Sequence, residues 1–158
     1  MKAKILLTAL IAFSLLSCNN ESSQVAVGET ELSTDHADVQ TDAAGLTLNN
    51  GQKWLADEST QAHAGNLNAL VDDFRKQEKA DNKTYQAFAS DLQNELAALV
   101  KDCKMKGVDH DALHLWLEPV MTDANALGKA ATVAEGRPIA ERLTLNVPKF
   151  NEYFEYVH

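Results

Sequence analysis

Cysteine is scarce in this sequence. Two occur in 158 residues, too few for a disulfide framework. There is no CxxCH, which excludes haem attached through the usual c-type motif. HExxH, a GxSxG nucleophile elbow and a Gly-rich phosphate loop are all missing. No motif supports catalysis, and the expectation is a protein that is not an enzyme. Basic residues are also few, 14 Lys and Arg against 23 Asp and Glu, for a formal charge of −9. A surface this acidic repels phosphate backbones and anionic lipid headgroups, which excludes nucleic acid and polybasic membrane attraction. Long apolar runs are missing too. Ile5 to Leu16 is a mainly apolar run of twelve, short of the roughly 20 residues that cross a bilayer. What is there is ordinary globular material, 45% hydrophobic and 23% charged, enough for one domain.

The first eighteen residues read as an address. Lys2 and Lys4 form a basic n-region, and Ile5 to Leu16 an h-region. The run closes Leu15-Leu16-Ser17-Cys18. This resembles the lipobox of bacterial lipoproteins, with Leu15 at −3, Ser17 at −1 and Cys18 at +1. The resemblance covers residues 1 to 18 and implies cleavage before Cys18, diacylation of its sulfur and acylation of its new amine. At about 0.8 kcal/mol per buried CH₂, several chains make such an anchor permanent. The membrane, through Cys18, is therefore an expected partner. By sorting rules known in some bacteria, Asn19 does not retain the protein at the inner membrane, which favours the outer one. Without the leader, 12 basic side chains face 23 acidic ones, a charge of −11. Cys103 is then the only free thiol, in an oxidising compartment.

Residues 18–48 form the expected tether. Ser, Thr, Asp, Glu, Asn and Ala dominate, no aromatic residue appears, and the sparse apolar residues show no period. His36 reads as a solvated linker residue. Asn49-Asn50-Gly51 is a turn signal that marks the boundary of a folded domain over 49–158.

Four helices are expected in that domain. The first starts at Asp57 or Ser59, runs to Glu78 and presents His63, Leu67, Leu70, Val71 and Phe74. Ala80-Asp81-Asn82 caps the second, whose stripe is Tyr85, Phe88, Leu92, Leu96, Leu99 and Cys103. Gly107 suits the end of that helix. The third opens on Asp109 as N-cap, with Val108 stapled to Leu113, and buries Leu113, Leu117, Val120, Met121, Ala124 and Leu127. Pro119 inside it predicts a kink or early break, and Gly128 an end. The fourth begins near Pro138 and carries Ile139, Leu143, Val147, Phe150, Phe154 and Val157 past a kink at Pro148. Sustained period-two alternation is missing. The fold class is all-α, an up-down-up-down four-helix bundle.

In that topology the chemistry gathers at one end. Trp54 and His63 come from the first helix, Cys103 and Met105 from the second, His110 and His114 from the third, and Tyr153, Phe154, Tyr156 and His158 from the fourth. The densest string is Cys103-Lys104-Met105-Lys106-Gly107-Val108-Asp109-His110-Asp111-Ala112-Leu113-His114. His110 and His114 are four apart and share a helix face, with His110 near the centre of the apolar stripe. Thiolate, thioether and two imidazoles are the donors a soft transition metal takes, copper foremost and Cu(I) in particular. Zinc is the alternative, held by Cys103, His110, His114 and His63 without Met105. Asp109, Asp111 or Glu118 would accept from the outer ring N–H groups. The string C-x-M-x-G-x-x-H-x-x-L-H-x-W-L-x-P, Cys103 to Pro119 here, is similar to one in small lipoproteins of Bacteroidetes-type bacteria. That resemblance implies an envelope protein and assigns no activity.

The expected function is a lipid-anchored cell-envelope protein that binds copper at one end of a bundle, as sensor, buffer or chaperone. The metal candidates are Cys103, Met105, His110 and His114, with His63 as a further ligand. A second expectation is an interaction module that docks another envelope protein without metal. A third is a non-covalent haem b bundle, with His63 or His114 and Met105 or Met121 as axial pair. Taken singly, these residues also have plain roles: a Cys that finishes a core stripe, a Met that covers the bundle end, a surface histidine.

Overall fold

A computed structural model describes residues 45–156. The expected leader at 1–17, the expected lipidation residue Cys18, His36, the expected tether up to residue 44, Val157 and His158 lie outside the described residues. The chain folds as an all-α four-helix bundle. Its elements are β1 (Trp54–Leu55), α1 (Glu58–Arg75), α2 (Asn82–Asp102), α3 (Val108–Lys129), α4 (Val133–Asn146), a 3₁₀ turn (Val147–Lys149), α5 (Phe150–Tyr153) and β2 (Phe154–Glu155). No helix among the described residues is long and apolar enough to cross a membrane.

Helices α1 and α2 start where their capping chemistry sits. Asp57 accepts the Thr60 N–H at 2.7 Å and opens α1. Asp81 accepts the Thr84 N–H at 2.8 Å and opens α2. These carboxylates satisfy amides that have no partner inside the helix and suit its positive end. The apolar stripes then face inward. Ala64, Leu67 and Val71 meet Phe88, Leu92, Leu96 and Leu99 across the α1–α2 seam, with Leu70 and Phe74 half-buried beside them. The Phe74 ring stacks on Phe88 with centroids 4.2 Å apart. Ala112, Leu113, Trp116, Leu117, Val120, Ala124 and Leu127 line α3. Arg142 of α4 donates through Nε and Nη2 to the two carboxylate oxygens of Asp123 of α3, at 3.1 and 2.7 Å.

The structure corrects several expectations. Helix α3 has no side-chain cap and starts after Gly107, at φ 68°. Asp109 accepts the Leu55 N–H instead, at 3.1 Å, and Val108 is 65% exposed, so it staples nothing. Pro119 does not break α3, which continues ten residues further to Lys129. One lost N–H is outweighed by the core contacts of Trp116, Leu117 and Val120 around it. Met121 is half-buried against the core, and Trp116 holds a central place. Helix α1 ends at Arg75. Helix α4 starts five residues before Pro138. Thr132 accepts the Glu135 N–H at 3.3 Å, and Glu135 reaches back to the Ala131 N–H at 2.8 Å. That paired cap sets the start more strongly than the proline.

The C-terminal run is not one kinked helix. At Pro148 it tightens into the 3₁₀ turn, turns once more as α5 and extends as β2. There β2 pairs in parallel with β1, Trp54 against Phe154 and Leu55 against Glu155. The Ala56 N–H donates to Glu155 O at 2.8 Å. The chain before Asn49 also belongs to the folded unit. Leu46 is fully buried, and the Trp54 indole donates to Thr47 O at 2.7 Å.

Candidate functional site

The chemistry-bearing end is built by three chain segments. The first turn of α1, the last turn of α2 and the first turns of α3 lie together there. Asp57 does more than cap its own helix. Its Oδ2 accepts the Lys104 N–H at 2.6 Å. The Ser59 hydroxyl sits between two acceptors, Asp102 O at 2.9 Å and Asp57 Oδ1 at 3.0 Å. The backbone on both sides of Cys103 is thereby tied to the start of α1. Burial pushes the Asp57 carboxyl up, but donors from Thr60, Lys104 and Ser59 outweigh it and hold the group below the usual carboxylate range.

Cys103 is the residue that ends α2. Its backbone is extended, at φ −61° and ψ 128°, and its N–H closes on Leu99 O at 2.9 Å. Its side chain is half-buried against the core, as is that of Met105. The core-side place read for Cys103 is therefore met, at the helix boundary rather than within the last turn.

His63 faces α2. Its Nδ1 lies 2.7 Å from Glu95 Oε1 and its Nε2 3.4 Å from Asp102 Oδ2. Asn66 donates to the same Glu95 oxygen at 2.8 Å. An ionised carboxylate only accepts, so the ring nitrogen facing Glu95 is the donor, and two carboxylates flanking the ring favour its protonated form. The Glu95 hydrogen bond is the main reason that the His63 pKa is raised, with Asp102 adding to it against burial. Burial pushes Glu95 up, and the donors from His63 and Asn66 overcome it and leave it lowered.

His110 and His114 come together on α3. Their rings meet edge to face, with centroids 4.6 Å apart and planes at 86°. His114 is exposed, and its Nδ1 lies 3.4 Å from Glu118 Oε1. His110 is half-buried on the flank of the helix. The sequence places it at the centre of the stripe. Ala112 and Trp116, both buried, rotate the core face away from it.

Five sequence-derived ligands therefore fall into three sets. The two imidazoles of α3 touch each other. The two sulfur side chains pack on the core from the connection before α3. His63 is engaged by α2 carboxylates. Among the described residues, no group of three or more His, Cys, Asp or Glu side chains is arranged to hold a metal ion. Met121, the other thioether weighed for haem, packs against the core. The residues that sequence reasoning missed are Glu95 and Asp102. They stand seven apart on one face of α2, a spacing that does carry a signal once His63 is set opposite. No family model matches this chain, and no curated protein or solved structure was found to be similar to it.

Proposed function

We propose that this chain is a lipid-anchored protein of a bacterial envelope, held at the outer membrane through Cys18. Its bundle end binds a soft transition metal, copper foremost, as a sensor, buffer or chaperone. The observation that carries the reading is the contact between His110 and His114, centroids 4.6 Å apart. Two imidazoles one helical turn apart form a ready chelate for copper or zinc. Glu118 beside Nδ1 of His114 is the kind of outer acceptor that fixes a ligand tautomer. Cys103 and Met105 stand on the short connection before α3 and supply sulfur of the right softness. A bound metal would contribute Lewis-acid or redox chemistry, while the chain's own task is to hold the imidazoles and sulfurs within reach. For sulfur to join, Cys103 or Met105 gives up its contact with the core, and this cost selects between Cu(I) and a borderline divalent ion.

The test is an anaerobic Cu(I) titration against a chromophoric chelator, with Zn(II) in parallel, on wild type, Cys103→Ala and His110→Ala. Tight one-to-one Cu(I) binding that both variants weaken supports the copper reading. Zinc binding lost only in His110→Ala moves the site to the imidazole pair. Equal affinity in all three proteins overturns the metal reading.

A second reading, docking of another envelope protein, is favoured by one observation. Val108 and Leu115 are 65% and 42% exposed, seven residues apart on α3. Leu55, 49% exposed, adjoins them through the Asp109 bond. A Val108→Asp variant that keeps every crosslinked envelope partner of wild type counts against it.

A further inference from the structure

We propose that the groove where the end of α1 and the α1–α2 connection meet α4 binds a small monocarboxylate with a flat apolar body. The groove measures about 530 Å³ and lies at the opposite end of the bundle from Cys103 and the histidine pair. That volume is in the range of small-molecule sites. Phe74 and Tyr85 form its apolar wall, with ring centroids 5.9 Å apart and planes tilted by 41°. Ala80 and Ala140 complete the apolar lining. The Tyr85 ring is fixed against α4. A Cβ on Gly136 would come within 2.9 Å of it, so the backbone of α4 approaches as closely as glycine permits.

The charged lining sets the ligand class. Arg75, Lys79 and Arg137 face Glu78 and Glu141. With Arg75 paired to Asp72, two cations stand open beside two carboxylates, a local balance in a chain whose formal charge is −9. Arg75 is committed, since it donates to Thr144 O at 2.5 Å and to Asp72 at 3.3 Å. The side chains of Lys79 and Arg137 make no hydrogen bond or ion pair with the described residues. A guanidinium with open donors takes a carboxylate in bidentate fashion. The two glutamates repel a dianion such as phosphate and leave room for a single negative charge. Half-buried Phe74 is the accessible part of the wall, with buried Tyr85 behind it, and takes the flat body by apolar burial. None of these residues belongs to the metal end, so this inference stands independently of the metal reading.

The test is an amide NMR titration of the full chain in dilute detergent with benzoate, benzamide and inorganic phosphate, on wild type and Arg137→Gln. The expected result is saturable benzoate shifts at Ala80, Tyr85, Arg137 and Ala140. Binding weakens tenfold or more in Arg137→Gln, and benzamide and phosphate do not saturate. Unchanged amide positions elsewhere verify that the variant is folded. Scattered, unsaturating shifts with benzoate overturn the site. Equal binding of benzamide, equal binding by Arg137→Gln, or tighter binding of phosphate overturns the carboxylate assignment.

Discussion

Replacing Asp57 by Ala tests the reading of the bundle end most directly. Asp57 and Asp81 cap successive helices with the same chemistry. Only Asp57 also holds a second segment, through the Lys104 N–H at 2.6 Å. Loss of an N-cap carboxylate costs about 1 kcal/mol. The Lys104 amide then loses a charge-assisted bond, which adds about 1 kcal/mol after discounting for its exposure. The expected loss for Asp57→Ala is thus about 2 kcal/mol. With a urea slope of about 1.5 kcal/mol per M, that lowers the midpoint by about 1.3 M. Asp81→Ala removes only local bonds to Thr84, so its midpoint moves less. Urea unfolding followed by far-UV circular dichroism measures both. Equal shifts in the two variants, at equal slope, would refute the claim that Asp57 clamps α2 to α1.

Four further predictions follow from the packing. Leu92→Ala, at a fully buried position, loses about 3 kcal/mol, read as a lower thermal midpoint. Gly136→Ala drives a methyl to 2.9 Å from the Tyr85 ring; it destabilises by about 1–2 kcal/mol by urea unfolding despite the helix propensity of alanine. Gly65→Ala meets no atom within 4 Å and raises stability by about 0.5–1 kcal/mol in the same assay. The His63 pairing imposes a pH dependence. A raised folded pKa stabilises fully below the unfolded value of 6.5 and is lost as pH rises through the folded one. The lowered Glu95 contributes above its unfolded 4.5 and is lost as pH falls through its folded value. The pair is therefore strongest between these two values. His63→Gln should flatten the fall in stability from about pH 6 to 8, and an unchanged fall assigns it to other groups.

The helices were legible because their cues are local. Leu67, Leu92, Leu96, Leu99, Leu113 and Leu127, all read as core from spacing, are buried to 2% exposure or less. The cap at Asp81 and a helix start at Asp57 or Ser59 were legible for the same reason. Where proline stood, sequence reasoning gave it too much weight. A single missing N–H at Pro119 or Pro138 is small beside a row of buried side chains or a paired cap. The candidate site was only half legible. A spacing of four from His110 to His114 predicts a shared face, and the rings do touch. Cys103, Met105 and His63 were drawn to the same point by topology alone. Topology assigns an end of the bundle, while rotamers and competing acceptors decide direction. Glu95 and Asp102 are such acceptors, and only the packing of α1 on α2 reveals them.

The strand pair β1 and β2 joins residues one hundred positions apart. Closing so long a loop costs chain entropy, repaid here by very few backbone bonds. Such a clasp forms late in folding and opens early. The amides of Leu55 and Ala56 should therefore exchange with solvent well before those of Leu96 or Leu117, and in step with the C-terminal end. Because the strands are parallel, a pull on the two ends of the chain drags them in opposite directions along their length. Their bonds are then loaded together in shear rather than opened one at a time. Under the proposed lipid anchor at Cys18, this places the mechanical catch of the fold beside the same end that carries the histidine pair.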